Sequence, residues 1–167
     1  MINITFDSFD PRDALRTIIT TAADLFQTGT DQRIITVVDL KGNIYRIPIY
    51  LTEQSKSDVL PPLPFVEFGL LHEHAAPQDI GASTRKHEGV IDVHVYWQKS
   101  DNIEQNKFGK LISDKLCHII RINQCGTVTG THFINVTNTG IVLTENYARQ
   151  VVYHRVMEVY VLFYDRP

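Results

Sequence analysis

The stretch HEGVIDVHVYW, residues 87–97, alternates along its length, and that alternation limits what the backbone can do. A β-strand sends successive side chains to opposite faces. Ile91, Val93, Val95 and Trp97 then share one face, and Glu88, Asp92, His94 and Tyr96 share the other. One face is dry and one is polar, the pattern of an antiparallel strand covered on one side. The chain must therefore supply a cover for the dry face, and the polar face is left to meet water or another subunit.

Two segments have the period needed for that cover. In DPRDALRTIITTAADLFQTG, residues 10–29, Asp10 is placed to cap a helix, Pro11 suits its first turn and Asp13 favours the positive end of its dipole. Leu15, Ile18, Ile19, Ala22, Leu25 and Phe26 follow a helical stripe, and Gly29 supplies a stop. The second segment runs from Lys99 to Gly126. Asp101 and Glu104 resemble a capping box, and Phe108, Leu111, Ile112, Leu116, Ile119 and Ile120 form its stripe.

The remaining segments predict strands. RIITVVDL (33–40) and IYRIPIYL (44–51) flank a KGN turn, with Pro48 placing its strand at an edge or a bulge. TEQSKSDVLPPLP (52–64) is a loop whose prolines direct the backbone into the next strand or form a polyproline ligand. FVEFGLLHEH opens a strand from Phe65 to about His72, which then pairs with 87–97 as a long hairpin with its tip at about 73–88. THFINVTNTGIVLTEN (131–146) predicts an extra hairpin turning at Asn138-Thr139-Gly140.

The last strand, from about Val151 to Tyr164, is apolar on both sides. Arg155, Met157, Val159, Val161 and Phe163 face one way; Val156, Glu158, Tyr160, Leu162 and Tyr164 face the other. Such a strand is buried twice or forms half of an interface. The element order predicts an α+β fold in one domain spanning 1–167, a mainly antiparallel sheet with two principal helices packed on one face.

Composition excludes some roles. The net charge of −3 argues against a general nucleic-acid binder. No apolar run approaches the ~20 residues that a membrane-spanning helix needs. The N-terminus lacks a basic stretch followed by an apolar one, so no secretory signal is expected. Cys117 and Cys125 suggest two reduced thiols of a cytoplasmic protein rather than a disulfide framework.

Chemical motifs are sparse. HExxH, CxxC, GxSxG, Walker and GxGxxG patterns are all missing from the sequence. His72 and His74 fall on one side of an extended chain, and a metal would need His87 or His94 as well. That spacing is common, so no metal and no cofactor is assigned. An acid–base cluster of Glu88, Asp92, His94 and Glu158 would need a cleft that the pattern does not show. His118 fits a partly buried core edge, and His132 and His154 stand alone in the pattern.

The layout carries a resemblance. An N-terminal helix, a hairpin, an entry strand LPFVEFGLL, the strand HEGVIDVHVYW, the helix IEQNKFGKLISDKLCHII and a closing strand RVMEVYVLFY together resemble the tail terminator and tail-completion proteins of long-tailed phages. The resemblance spans roughly Asp10 to Tyr164. It implies a structural, non-enzymatic role: a homo-oligomeric ring, commonly a hexamer, that caps the tail tube protein and docks the head–tail connector protein. It implies assembly in the host cytoplasm and residence in the virion neck, with no membrane and no specific nucleic-acid partner. TEQSKSDVLPPL and the 131–146 insertion depart from the family layout. The residues this reading places at interfaces are His72, His74, Arg85, Lys86, His87, Asp92, His94, Tyr96, Glu158 and Tyr160. An adaptor or peptide-binding domain, and a small metal-dependent hydrolase, are the alternatives.

Overall fold

The dry face of the 87–97 strand finds its cover where the stripes require it. A computed structural model describes residues 10–22, 25–26, 33–39, 41–50, 60–74, 85–98, 105–122, 127–128, 131–147 and 150–165. In chain order these are α1 (Pro11–Ala22), β1 (Leu25–Phe26), β2 (Arg33–Val38), β3 (Ile44–Tyr50), β4 (Phe65–His74) and β5 (Arg85–Gln98). They continue as α2 (Gln105–Ile122), β6 (Thr127–Val128), β7 (Thr131–Tyr147) and β8 (Gln150–Asp165). The strands form one sheet in the order β1-β2-β3-β4-β5-β8-β7-β6. The fold is thus mixed α+β and mostly sheet. β3 and β4 run parallel, and the other described pairs are antiparallel.

Ile91, Val93, Val95 and Trp97 of β5 join Met157, Val159, Val161 and Phe163 of β8 in one core. Leu15, Ile18 and Ile19 of α1 and Phe108, Ile112, Leu116, Ile119 and Ile120 of α2 close it from the same side. Burying each such side chain contributes on the order of 1.5–3 kcal/mol. The helices are unequal, 12 residues in α1 and 18 in α2. α1 touches both β2 and β6, which lie near opposite ends of the sheet, so the sheet curls around the helices.

Local chemistry sets the element ends. The Asp10 carboxylate accepts the Arg12 backbone N–H at 2.9 Å, which caps α1 as expected. Partial burial raises the Asp10 pKa, but hydrogen bonds and charge from Arg12 outweigh it and hold the carboxyl below its usual range. At the β2–β3 turn, Gly42 has a φ of 83°, the left-handed region that glycine enters freely. The Asp39 carboxylate accepts the Lys41 N–H, the Asn43 N–H and the Asn43 amide, each at 2.8 Å. Those bonds, led by the Asn43 amide, hold Asp39 below the usual carboxylate range.

Four expectations change. The first helix stops at Ala22; Leu25 and Phe26 leave the helical stripe to pair with Ile34 and Arg33. Tertiary pairing overrides local periodicity there. The predicted 131–146 hairpin is one strand, because both halves of β7 pair with β8 and the ladder merely shifts register between Asn138 and Val142. Asn-Thr-Gly sits in a bulged region instead of a reversal. Pro48 is not in an edge strand: β3 lies between β2 and β4, with Pro48 opposite Ile34. It remains compatible because β4 pairs only with Ile49 and Tyr50, beyond the proline. His118 is exposed on α2 rather than at the core edge. The suggested capping box at Asp101 and Glu104, the stop at Gly126 and Cys125 lie outside the described residues.

Trp97 fixes how closely α2 approaches the sheet. Its ring lies over Gly109, where an added Cβ would fall inside contact distance of Cη2, Cζ3 and Cζ2. Trp97 is 1% exposed and has no room to retreat. Gly109→Ala should therefore destabilise the protein by about 1–3 kcal/mol through overpacking. The same change at an exposed helical site would stabilise by up to about 1 kcal/mol. Urea unfolding of Gly109→Ala, and of Gly109→Ala with Trp97→Phe, measures this; the second change should restore part of the loss.

Candidate functional site

The register of β5 against its neighbours decides which polar residues meet. β5 pairs with β8 from Arg85↔Asp165 to Gln98↔Val152, and with β4 from Phe65↔Tyr96 to His74↔Glu88. Even-numbered residues of β5 and β8 therefore share the face away from the helices, here called the outer face. Asp92, His94, Tyr96, Glu158 and Tyr160 all lie on it.

His94 and His154 meet diagonally across the β5–β8 ladder. His94 Nδ1 and His154 Nε2 are 2.8 Å apart, and His154 Nδ1 is 2.8 Å from Glu145 Oε1. A carboxylate only accepts, so His154 Nδ1–H donates to Glu145. With neutral rings His154 Nε2 is then the acceptor, and His94 Nδ1–H donates to it. Three strands, β5, β8 and β7, are tied by one directed chain of hydrogen bonds. Its far end, His94 Nε2, rests on Gly69 of β4, where an added Cβ would lie 2.5 Å away.

Aromatic rings continue this line. Tyr96 stacks on His154 with centroids 4.3 Å apart, and Phe65 stacks on Tyr96 at 4.8 Å. Phe65, Tyr96 and Val152 form a second small core, joined by Tyr50, Leu60 and Leu63. The proline-rich segment thus folds its leucines over one end of the outer face. Glu67, opposite His94 in the ladder, is buried at 1% exposure.

Further along, the outer face opens. His72 Nε2 lies 3.2 Å from Asp92 Oδ2, an ion pair when the imidazole is protonated. Asp92 sits directly opposite Glu158. The Tyr160 hydroxyl donates to Glu158 Oε2 at 2.8 Å, and the Thr137 hydroxyl reaches the same oxygen at 3.4 Å. The bond to Glu158 and its charge push the Tyr160 hydroxyl above its ordinary pKa. Val90, Val156, Tyr160 and Leu162 are only partly buried, and Leu143 is 46% exposed. Among the described residues no helix lies on this side.

The expected site residues separate into groups. His72, Asp92, His94, Tyr96, Glu158 and Tyr160 come together on the outer face. Tyr96 corrects its expected exposure: it is 3% exposed, because Phe65 and the Leu60–Leu63 segment cover it. His87 is on the helix side, stacked on Phe163 at 5.2 Å. His74, Arg85 and Lys86 lie at strand ends opposite Glu88, Asp165 and Tyr164, and their side chains are outside the described set. Pairing narrows the tip expected at about 73–88, since both strands extend into it; its remaining residues, 75–84, lie outside the described residues.

His154 was expected to stand alone, and instead it is the centre of the hydrogen-bonded chain. Its parity with Glu158 and Tyr160 was visible in the sequence; its diagonal contact with His94 depends on a register that one strand does not reveal. Glu145 was hidden by the hairpin expected around it. Among the described residues, no three His, Cys, Asp or Glu side chains are grouped to hold a metal ion. None of the described helices is long and apolar enough to cross a membrane. Comparison with known proteins finds no family model that matches the chain and no curated protein with a matching sequence.

His154→Leu keeps the volume but leaves His94 and Glu145 without their shared partner. Losing a hydrogen bond of this kind costs about 0.5–1.5 kcal/mol net, and more where the group left behind is shielded from water. The variant should lose about 2–4 kcal/mol in chemical unfolding, whereas the exposed substitution His118→Leu should change stability by less than about 0.5 kcal/mol.

Proposed function

We propose that this chain is a structural assembly subunit that self-associates through the outer face of β5 and β8 into a ring, in the manner of a phage tail terminator. The observation that carries this reading is the composition of that face. Val90, Val156, Tyr160 and Leu162 stand partly exposed around Asp92 and Glu158 on long central strands. Apolar and aromatic side chains enclosing a few charges are the anatomy of a protein interface. The His94–His154–Glu145 chain supports the same reading by holding three strands of the face in one geometry before any partner arrives, which lowers the ordering cost of association.

The layout supports the finer assignment. The entry strand, the alternating β5, the apolar α2 and the aromatic β8 occur in the order that the tail-terminator resemblance expects. On this reading the subunit assembles in the host cytoplasm, caps the tail tube protein and presents its other side to the head–tail connector protein.

Native mass spectrometry and light scattering test the self-association. The protein should appear as a multiple of its 19.1 kDa chain, with six copies as the expected number. Tyr160→Arg, which places a new charge on the face, should weaken association by tenfold or more while leaving the circular dichroism spectrum unchanged. A wild-type protein that remains monomeric at 100 μM, a concentration chosen to favour association, overturns the reading.

A further inference from the structure

Arg155 is the buried charge that the outer face does not explain. It projects from β8 to the helix side, between Val95 of β5 and Val142 of β7. Only 7% of the residue is exposed. Burying a cation is costly without a countercharge, so an arginine in this position is normally met by a carboxylate. Among the described residues, no carboxylate lies within ion-pair distance of Arg155.

Instead, the side chain is held from behind. Arg155 Nε donates to Asn138 Oδ1 at 2.6 Å, and Asn138 Nδ2 donates to Ser113 Oγ at 3.0 Å. Ser113 is fully buried in α2 and donates to the Gly109 carbonyl at 2.9 Å. This line of polar groups uses the Nε–H and leaves the two terminal amino groups of the guanidinium unspent. Among the described residues no hydrogen bond to them is seen, and 7% of the residue remains exposed. Their place in the fold is the interruption of the β7 ladder. Asn138 is the last residue before the register shift, and Val142, opposite Arg155, is the first after it.

Burial pushes the Cys117 thiol up, and the charges acting on it are Arg121, Asp114, Arg155 and Lys110, three cations against one acid. Lys110 and Asp114 pair with each other, which leaves Arg121 as the further cation near Arg155 and Cys117.

We propose that Arg155 is the base of an oxyanion site at the interruption of β7. Its two terminal amino groups would grip a carboxylate or phosphate through parallel N–H···O bonds, the geometry for which a guanidinium is suited and an ammonium is not. The site lies on the opposite side of the sheet from the proposed ring interface and does not depend on it.

The test uses the full chain and inorganic phosphate, acetate and chloride as probes, with thermal unfolding compared at matched ionic strength. The wild type should unfold at a higher temperature in phosphate or in acetate than in chloride. Titration calorimetry should give saturable binding of the same anion. Arg155→Lys, which keeps the charge and loses the fork, should bind at least tenfold more weakly, and Arg155→Met should not bind measurably. Preference for phosphate over acetate assigns a phosphate ligand and the reverse a carboxylate, while an equal response supports an oxyanion site that takes either. A wild type that does not distinguish these anions from chloride overturns the proposal, even if neither variant folds. An anion effect of equal size in Arg155→Met also overturns it.

Discussion

The pairing of β5 with β8 is the constraint on which the rest of the molecule depends. The two strands stay in one register along the whole of β5, from Arg85↔Asp165 to Gln98↔Val152. Because side chains alternate, a slip of one residue would carry Ile91, Val93, Val95 and Trp97 to the outer face. It would also bring Asp92, His94 and Tyr96 under the helices. The apolar identities of Met157, Val159, Val161 and Phe163 specify the same register from the other strand. Core and outer face are therefore two results of one alignment, and neither could change without the other.

The helix side and the outer face solve different problems. On the helix side, shape decides: Trp97 meets the bare backbone of Gly109, and Tyr45 meets Phe108 edge-on at 4.8 Å. On the outer face, directed bonds decide, because His154 and Glu145 must be satisfied wherever water is reduced. Arg155 lies where these two regimes adjoin, a charged group on the apolar side steadied by Asn138 and Ser113. Arg155 and Ser113 are buried and Asn138 partly so, and hydrogen bonds join the three in one line.

Much of this was legible in the sequence because period is a local property. The stripes of α1 and α2 and the parity of β5 and β8 follow from residues within a few positions of one another. Contacts set by distant segments were not legible. Tyr96 has the parity of a polar face and is buried, because Leu60 and Leu63 fold back over it. His154 finds His94 only through the β5–β8 register. Asn138-Thr139-Gly140 has the composition of a turn, yet β8 offers a continuous partner along its length, and the backbone takes a register shift instead. Leu25 and Phe26 fit a helix until β2 provides them with a strand partner.

The sheet order also bears on how the chain reaches its native state. β4–β5 and β7–β8 each join strands adjacent in sequence, whereas β5–β8 joins segments separated by α2, β6 and β7. Contacts between remote segments carry the larger loop-closure entropy. The two outer pairs can thus form as separate local units, and the centre of the sheet is their seam. As a hypothesis, α2 acts as the template for that seam, since Trp97 on one unit and Met157 on the other both belong to the core that it covers. Truncations such as Leu116→Ala should then slow folding more than they speed unfolding, and stopped-flow kinetics showing the opposite would refute that order of assembly.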